Sequence, residues 1–372
     1  MSENRPGGMC RLLAVAAASM TAALVQPLAA APWVFPDPSW IVKTPEDLGV
    51  NRGKLDTFRN KVGGSGVVIK DGYMIYSWGN ISERHNWYSA SKPVLSTLLF
   101  FAVNEHRIAG VDSLIGDWRW PLRTEDQNMT FRQLADMTSG YARAEGPGER
   151  WAYNDYAIQL YVDTLERIYG APDLSAPSEA RLKSPLQFQG GSCLVGTGRA
   201  NISPSDFARI GWFWMNKGNW KGKQLLPASF FDNYVKADVP STMLETSAAS
   251  DDYLGVGSYG GGSDQTNIGP GIYGFNWWFN TNRDSPQLTW PAAPADTYQA
   301  NGRWGTEAMT MFPSLGMVVA AYGGNGWGGF TPGDANSSMN QSLKLLVDAV
   351  PEPASVALLG LGGLALVLRR RR

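Results

Sequence analysis

The chain has 372 residues, 44% of them hydrophobic, and a formal net charge of −1. That is enough apolar material for a large core, without the basic excess that nucleic-acid binding requires. With two histidines and two cysteines, it has poor means for a histidine metal centre or a disulfide framework.

Taken in chain order, Arg5 and Arg11 precede an apolar stretch, Leu12 to Leu24, and then the small-residue run Ala29-Ala30-Ala31. This is the layout of a secretory signal peptide, expected over residues 1–30. Cys10 would leave with it, so the exported chain keeps Cys193 alone and has no internal disulfide. The remaining body, 31–349, suits one large domain with a helical insertion at about 93–250. Val67 to Lys70, Asp71-Gly72 and Tyr73 to Trp78 read as a hairpin with an Asp-Gly turn. A helix with an apolar face is expected from Lys92 to Val103, with Pro93 in its first turn and Gly110 as its stop. The pattern is helical again from Thr130 to Gly170 and from Ser203 to Lys217, with loops at Thr138-Ser139-Gly140 and Pro147-Gly148. Strands return at Tyr273 to Phe279, Glu307 to Phe312 and Met317 to Tyr322, after a glycine-rich loop, Gly255 to Gly274. Strands first, helices in the middle and strands last describe an α+β fold, a sheet interrupted by a helical insertion.

The chemistry-bearing stretch is Tyr88-Ser89-Ala90-Ser91-Lys92. Positions i and i+3 share a helix face, so the Lys92 amine can reach the Ser89 hydroxyl and take or relay its proton. Burial and the positive helix end would disfavour the ammonium form and make Lys92 a better base. The bare spacing equally suits a capping serine and a solvated lysine. His85 and His106 both lie too close to Ser89 in sequence for a chymotrypsin-type order, and there is no G-x-S-x-G elbow with a late histidine. Proton transfer would fall to lysine and tyrosine. Tyr153, in Trp151-Ala152-Tyr153-Asn154-Asp155, sits where a turn runs into a helix. No metal or other cofactor is expected.

At the far end, Val350-Pro351-Glu352-Pro353 precedes an apolar run, Ala354 to Leu368, and four terminal arginines, Arg369 to Arg372. Residues 350–372 resemble the PEP-CTERM sorting signal. That resemblance implies an exported protein held transiently in the inner membrane until an exosortase-type enzyme processes it, destined for the periplasm, cell envelope or extracellular matrix. The run is shorter than the roughly 20 residues of an untilted spanning helix, so arginine snorkelling would have to help, and a permanent tail anchor is the alternative.

From about Gly66 to Tyr322 the ordered segments resemble the serine beta-lactamase-related hydrolases: class C beta-lactamases, D-alanyl-D-alanine carboxypeptidases, and related esterases and nylon-oligomer amidases. Ser89 to Lys92 matches S-x-x-K, and Thr130 to Leu134 with Thr138-Ser139-Gly140 matches the T-x-x-x-L and T-S-G segment. Tyr153-Asn154-Asp155 lies at Y-x-N, and Asp206 to Gly211 matches D-x-A-R-x-G. The resemblance implies a beta-lactamase/DD-peptidase-like fold, an antiparallel sheet flanked by helices with an inserted helical subdomain. It also implies acylation of Ser89, with Lys92 as base or relay, Tyr153 assisting the leaving group, and the Ser89 amide as half of an oxyanion hole.

Two departures bear on the substrate. Asp155 replaces the neutral amide of Y-x-N, and as an anion in the binding site it would repel acidic substrates or anchor the lysine. Ala300-Asn301-Gly302-Arg303 occupies the K-T-G region without its lysine, although Arg303 could substitute as the cation. Ala300, Asn301 or Gly302 should supply the second oxyanion amide, in a register that sequence leaves open. The expected partner is a small ester or amide, with esterase-like activity favoured. A beta-lactamase or D-alanyl-D-alanine carboxypeptidase is one alternative. The other is a non-catalytic surface protein that stacks its tryptophans on matrix sugars.

Overall fold

The computed structural model describes residues 1, 33–260 and 268–351. The expected leader and nearly all of the sorting tail lie outside the described residues, as does part of the glycine-rich loop. The fold lies in the unit Val34–Arg372.

Helix α1 (Arg52–Val62) is capped by Asn51, whose side chain accepts from Lys54 N. It leads into β1 (Ser65–Lys70) and β2 (Tyr73–Trp78), joined at Asp71-Gly72, where both residues take positive φ. This is the expected hairpin. A short β3 (His85–Asn86) and the 3₁₀ turn Tyr88–Ser91 then enter α2 (Lys92–Asn104). Every α2 residue from Lys92 to Ala102 is buried, so it is a central helix rather than one with a single apolar face. It ends before Gly110, because the chain turns at His106 with a φ of 57°.

The single helical pattern expected from Thr130 to Gly170 is two helices, α3 (Phe131–Ala135) and α4 (Asp155–Tyr169), with a long loop between them. Thr130 and Gln133 form a capping box on α3, and Asn154 caps α4 through Tyr156 N and Ala157 N. Short α5 (Ser175–Ser178) and α6 (Ser184–Leu186) follow, then β4 (Leu194–Val195), β5 (Arg199–Ile202) and α7 (Pro204–Met215). A ribbon of β6 (Asn219–Trp220) and β7 (Lys223–Gln224) leads to α8 (Ala228–Tyr234). The stretch expected as one strand at Tyr273–Phe279 folds back on itself as β8 (Tyr273–Gly274) and β9 (Trp277–Phe279). Positive φ at Phe275 and Asn276 makes that turn. Next come β10 (Tyr298–Gly302), β11 (Glu307–Phe312), β12 (Met317–Tyr322) and α9 (Ser338–Val347).

The main sheet is antiparallel in the order β2-β1-β12-β11-β10-β9-β8, so an early and a late strand of the domain pair within it, Ser65 opposite Tyr322. This is the α+β architecture expected from the order of elements, with the antiparallel sheet flanked by helices that the resemblance implies. Helices α1 and α9 pack together, and α7 lies against β1, β11 and β12. Gly211 permits that close approach, since a Cβ on it would lie 2.6 Å from Met309 Sδ and 2.8 Å from Val318 Cγ1. Trp87, Trp151, Trp212, Trp214, Trp277, Trp290 and Trp327 are fully buried. They build the core, which removes the main support for sugar stacking. Among the described residues no helix is long and apolar enough to cross a membrane.

Candidate active site

Ser89 lies in the 3₁₀ turn that opens α2, and the turn is gripped from two sides. On one side Trp87 N donates to Ala200 O (3.0 Å), Trp87 Nε1 to Ile202 O (2.8 Å), and Ala200 N to Ser91 Oγ (2.9 Å), which ties the turn to β5. On the other side stands Gly302 at the end of β10. A Cβ there would come within 2.9 Å of Trp87 O and Ala90 N and 3.3 Å of Ser89 N. Only a residue without a side chain lets this strand meet the turn so closely.

The α2 and α4 starts bring three charged or polar groups to one ammonium. Lys92 Nζ donates to Ser89 Oγ (2.8 Å) and to Tyr153 OH (2.8 Å), and pairs with Asp155 Oδ1 at 2.8 Å. Of its three donors two are hydrogen bonded, and Asp155 Oδ1 stands at ion-pair distance without a hydrogen bond. Lys92 and Asp155 are buried, with side chains 1% and 4% exposed, while Ser89 is half-buried. Burial opposes the ammonium, but the Tyr153 hydroxyl and the Asp155 carboxylate outweigh it, so the lysine is held above its ordinary value. Burial therefore acts on Lys92 in the expected direction but is outweighed, and of the two roles considered for the Asp155 carboxylate the geometry matches the one that anchors the lysine.

Tyr153 ends the loop before α4, held by Asn154, whose Nδ2 donates to Tyr141 O (2.7 Å). Its ring stacks on Trp278 at 6.1 Å and meets Tyr273 and Trp151 at 6.3 Å. Tyr259 closes over the same group, with its ring 5.2 Å from Lys92 Nζ and its amide donating to Asp155 O (3.0 Å).

The residues expected to line a substrate pocket divide. Asp155 is packed behind Lys92 as its ion-pair partner rather than on an open surface. Ala300 shares the Ser89-facing side of β10 with Gly302, two residues on, and is fully buried. Asn301 faces the other way: its Nδ2 donates to Gln299 Oε1 (3.2 Å), and Gln299 reaches Thr310 and Met339 behind the sheet. Strand alternation, once β10 is in register, excludes its side chain from the site. Arg303 is half-exposed, with its guanidinium 4.6 Å from the centre of the Tyr88 ring and Nε 3.6 Å from Glu307 Oε1. Sequence reasoning missed Tyr259, Arg199 and Glu307, none of which stands in a motif. His85 stacks on Tyr322 at 3.9 Å. Among the described residues no group of three or more His, Cys, Asp or Glu could hold a metal ion.

The family model described as Beta-lactamase matches residues 54–181, the stretch that holds Ser89, Lys92, Tyr153 and Asp155. The PEP-CTERM protein-sorting motif matches residues 349–372. No curated protein matches the chain. Among solved structures, EstCE1, a hydrolase with promiscuous acyltransferase activity, is 13% identical with a TM-score of 0.59, covering 81% of this chain and 99% of its own. A beta-lactamase/D-alanine carboxypeptidase from Yersinia pestis is 13% identical with a TM-score of 0.54, covering 80% and 98%. A family VIII carboxylesterase is 11% identical with a TM-score of 0.55, covering 81% and 99%. At these identities the structural likeness is one of fold, and the chain is similar to the beta-lactamase family over residues 54–181 and carries a PEP-CTERM protein-sorting motif at residues 349–372.

Proposed function

We propose that the chain is an exported serine hydrolase that cleaves an ester or amide through an acyl-enzyme on Ser89. The observation that carries this reading is Lys92 Nζ standing 2.8 Å from both Ser89 Oγ and Tyr153 OH. Ser89 Oγ bonds to the acyl carbon as the bond to the leaving group breaks: Tyr153 gives its proton to the departing oxygen or nitrogen, Lys92 passes one of its own to Tyr153, and the lone pair this frees on Lys92 takes the proton of Ser89. Lys92 begins and ends the step as an ammonium, consistent with its buried partner Asp155. Water reverses the sequence to release the acid. The Ser89 amide and one from the end of β10 would hold the oxyanion.

Gly302 meets the nucleophile turn, so we read Ala300-Asn301-Gly302 as standing in the place of K-T-G. Ala300 then replaces the cation that grips a carboxylate, which favours esterase-like activity over beta-lactamase or carboxypeptidase activity. A panel of p-nitrophenyl esters, a chromogenic cephalosporin and a D-alanyl-D-alanine peptide tests this reading. Ester turnover alone is expected, and cephalosporin or peptide turnover at comparable rates would reverse the preference. Gly302→Ala should lower kcat/KM about tenfold or more, because its methyl pushes β10 off the Ser89 turn and displacements below 1 Å already disturb reacting groups. Unchanged kcat/KM in that variant would remove β10 from the site. The PEP-CTERM motif supports export, transient inner-membrane anchoring and processing by an exosortase-type enzyme.

A further inference from the structure

Glu307 opens β11 directly opposite Gly302, the residue that meets the Ser89 turn. Its side chain is 1% exposed, and neither carboxylate oxygen has a hydrogen-bond partner. An enclosed carboxylate without donors is costly to keep. Among the described residues the one cation within ion-pair distance is Arg303, at 3.6 Å, whose guanidinium lies over Tyr88, the residue before Ser89.

We infer that Glu307 neutralises Arg303 at the edge of the Ser89 site, so that the site selects uncharged acyl groups over acyl groups that carry a carboxylate. The inference rests on the hydrolase reading above and names its substrate class. Two other positions around Ser89 agree with it: Lys92 is matched by Asp155, and Ala300 supplies no charge. Arg199, which also reaches the Tyr88 ring (5.7 Å), donates to the neutral Tyr259 carbonyl and keeps its charge, a contribution common to the wild type and to the Glu307 variant.

The compensation is sensitive to pH. Burial pushes Glu307 up to about 7, against the pull of Arg303. The neighbouring titratable groups are Tyr88 on the nucleophile turn, Tyr322 on β12, and His85, stacked on Tyr322, with Glu83 beyond it. Burial raises Tyr322 and lowers His85, which keeps both uncharged near neutrality. Below about 7, Glu307 takes up a proton and Arg303 is left free to attract an anion.

The test compares kcat/KM for p-nitrophenyl butyrate and for the p-nitrophenyl monoester of glutaric acid, which differ in charge and share a leaving group. The wild type should prefer the butyrate. Glu307→Gln should shift the ratio toward the glutarate by about three- to fivefold, the effect of one part-exposed charge pair. Arg303→Gln in the Glu307→Gln background should abolish that shift. In the wild type, with no substitution and hence no risk of misfolding, lowering the pH from about 8 to about 6 should move the ratio the same way. An unchanged ratio in a Glu307→Gln protein that still turns over esters, a shift that survives loss of Arg303, or a pH-independent wild-type ratio overturns the inference alone. No turnover of either ester by the wild type overturns the hydrolase reading and this inference with it.

Discussion

Ser89→Ala is expected to lower kcat/KM for a p-nitrophenyl ester by about 10⁴-fold or more, because the substitution removes the atom that bonds to the acyl carbon. The fold should be almost untouched. Ser89 is half-buried, and its loss leaves Lys92 still facing Tyr153 and Asp155, so the stability change should stay near about 1 kcal/mol. A fluorophosphonate probe separates chemistry from folding. The wild type should carry the label on the peptide containing Ser89, and the variant should carry none while melting at nearly the same temperature. Labelling at another serine, or ester turnover in the variant equal to wild type, would end the acyl-enzyme reading. Lys92→Met should abolish labelling as well, since the serine proton then has no relay. That variant also leaves Asp155 buried without its partner, so its loss of stability should be about 3 kcal/mol or more.

What the sequence made legible was local. The i, i+3 spacing of Ser89 and Lys92, the Asp71-Gly72 turn and the late strands β11 and β12 follow from short-range rules, and the structure has each of them. The order of strand-rich and helix-rich segments also contains the α+β architecture, because β1 must find β12 once the helices fold between them. Features set by distant contacts were hidden. Helices α1 and α9 pack on each other far from any motif, and the break between α3 and α4 depends on Asn154 capping against Tyr141. Tyr259 and Glu307 come beside the site only through loop closure and cross-strand register. Asn301 shows the same limit from the other side. Its backbone amide was one of three expected to serve the oxyanion, and which way its side chain faces depended on a register that Gly302, packed against the turn, makes visible.

Asp155→Asn is expected to draw the alkaline limit of activity to lower pH. In the native site burial opposes the Lys92 ammonium, and Tyr153 and Asp155 more than offset it, so the folded-state value lies above the ordinary lysine value of about 10.4. The sign follows from that direction. The stabilising contribution of the pair is complete below the unfolded value and is lost only as pH rises through the higher folded value. Asparagine keeps the shape and removes the charge, so burial acts on Lys92 with less opposition and the ammonium is lost at lower pH. If Lys92 works as a charged relay, kcat/KM in the wild type should hold well into the alkaline range and in the variant should decline earlier. The variant should also be less stable by about 3 kcal/mol while Lys92 remains charged, a deficit that shrinks once the amine is neutral. A pH profile measured beside a melting curve at each pH reads both effects. If instead activity in Asp155→Asn rose above wild type between neutral and mildly alkaline pH, Lys92 would be acting as a free amine base. Asp155 would then restrain catalysis rather than support it, because a carboxylate that holds the proton on Lys92 withholds the lone pair a base requires.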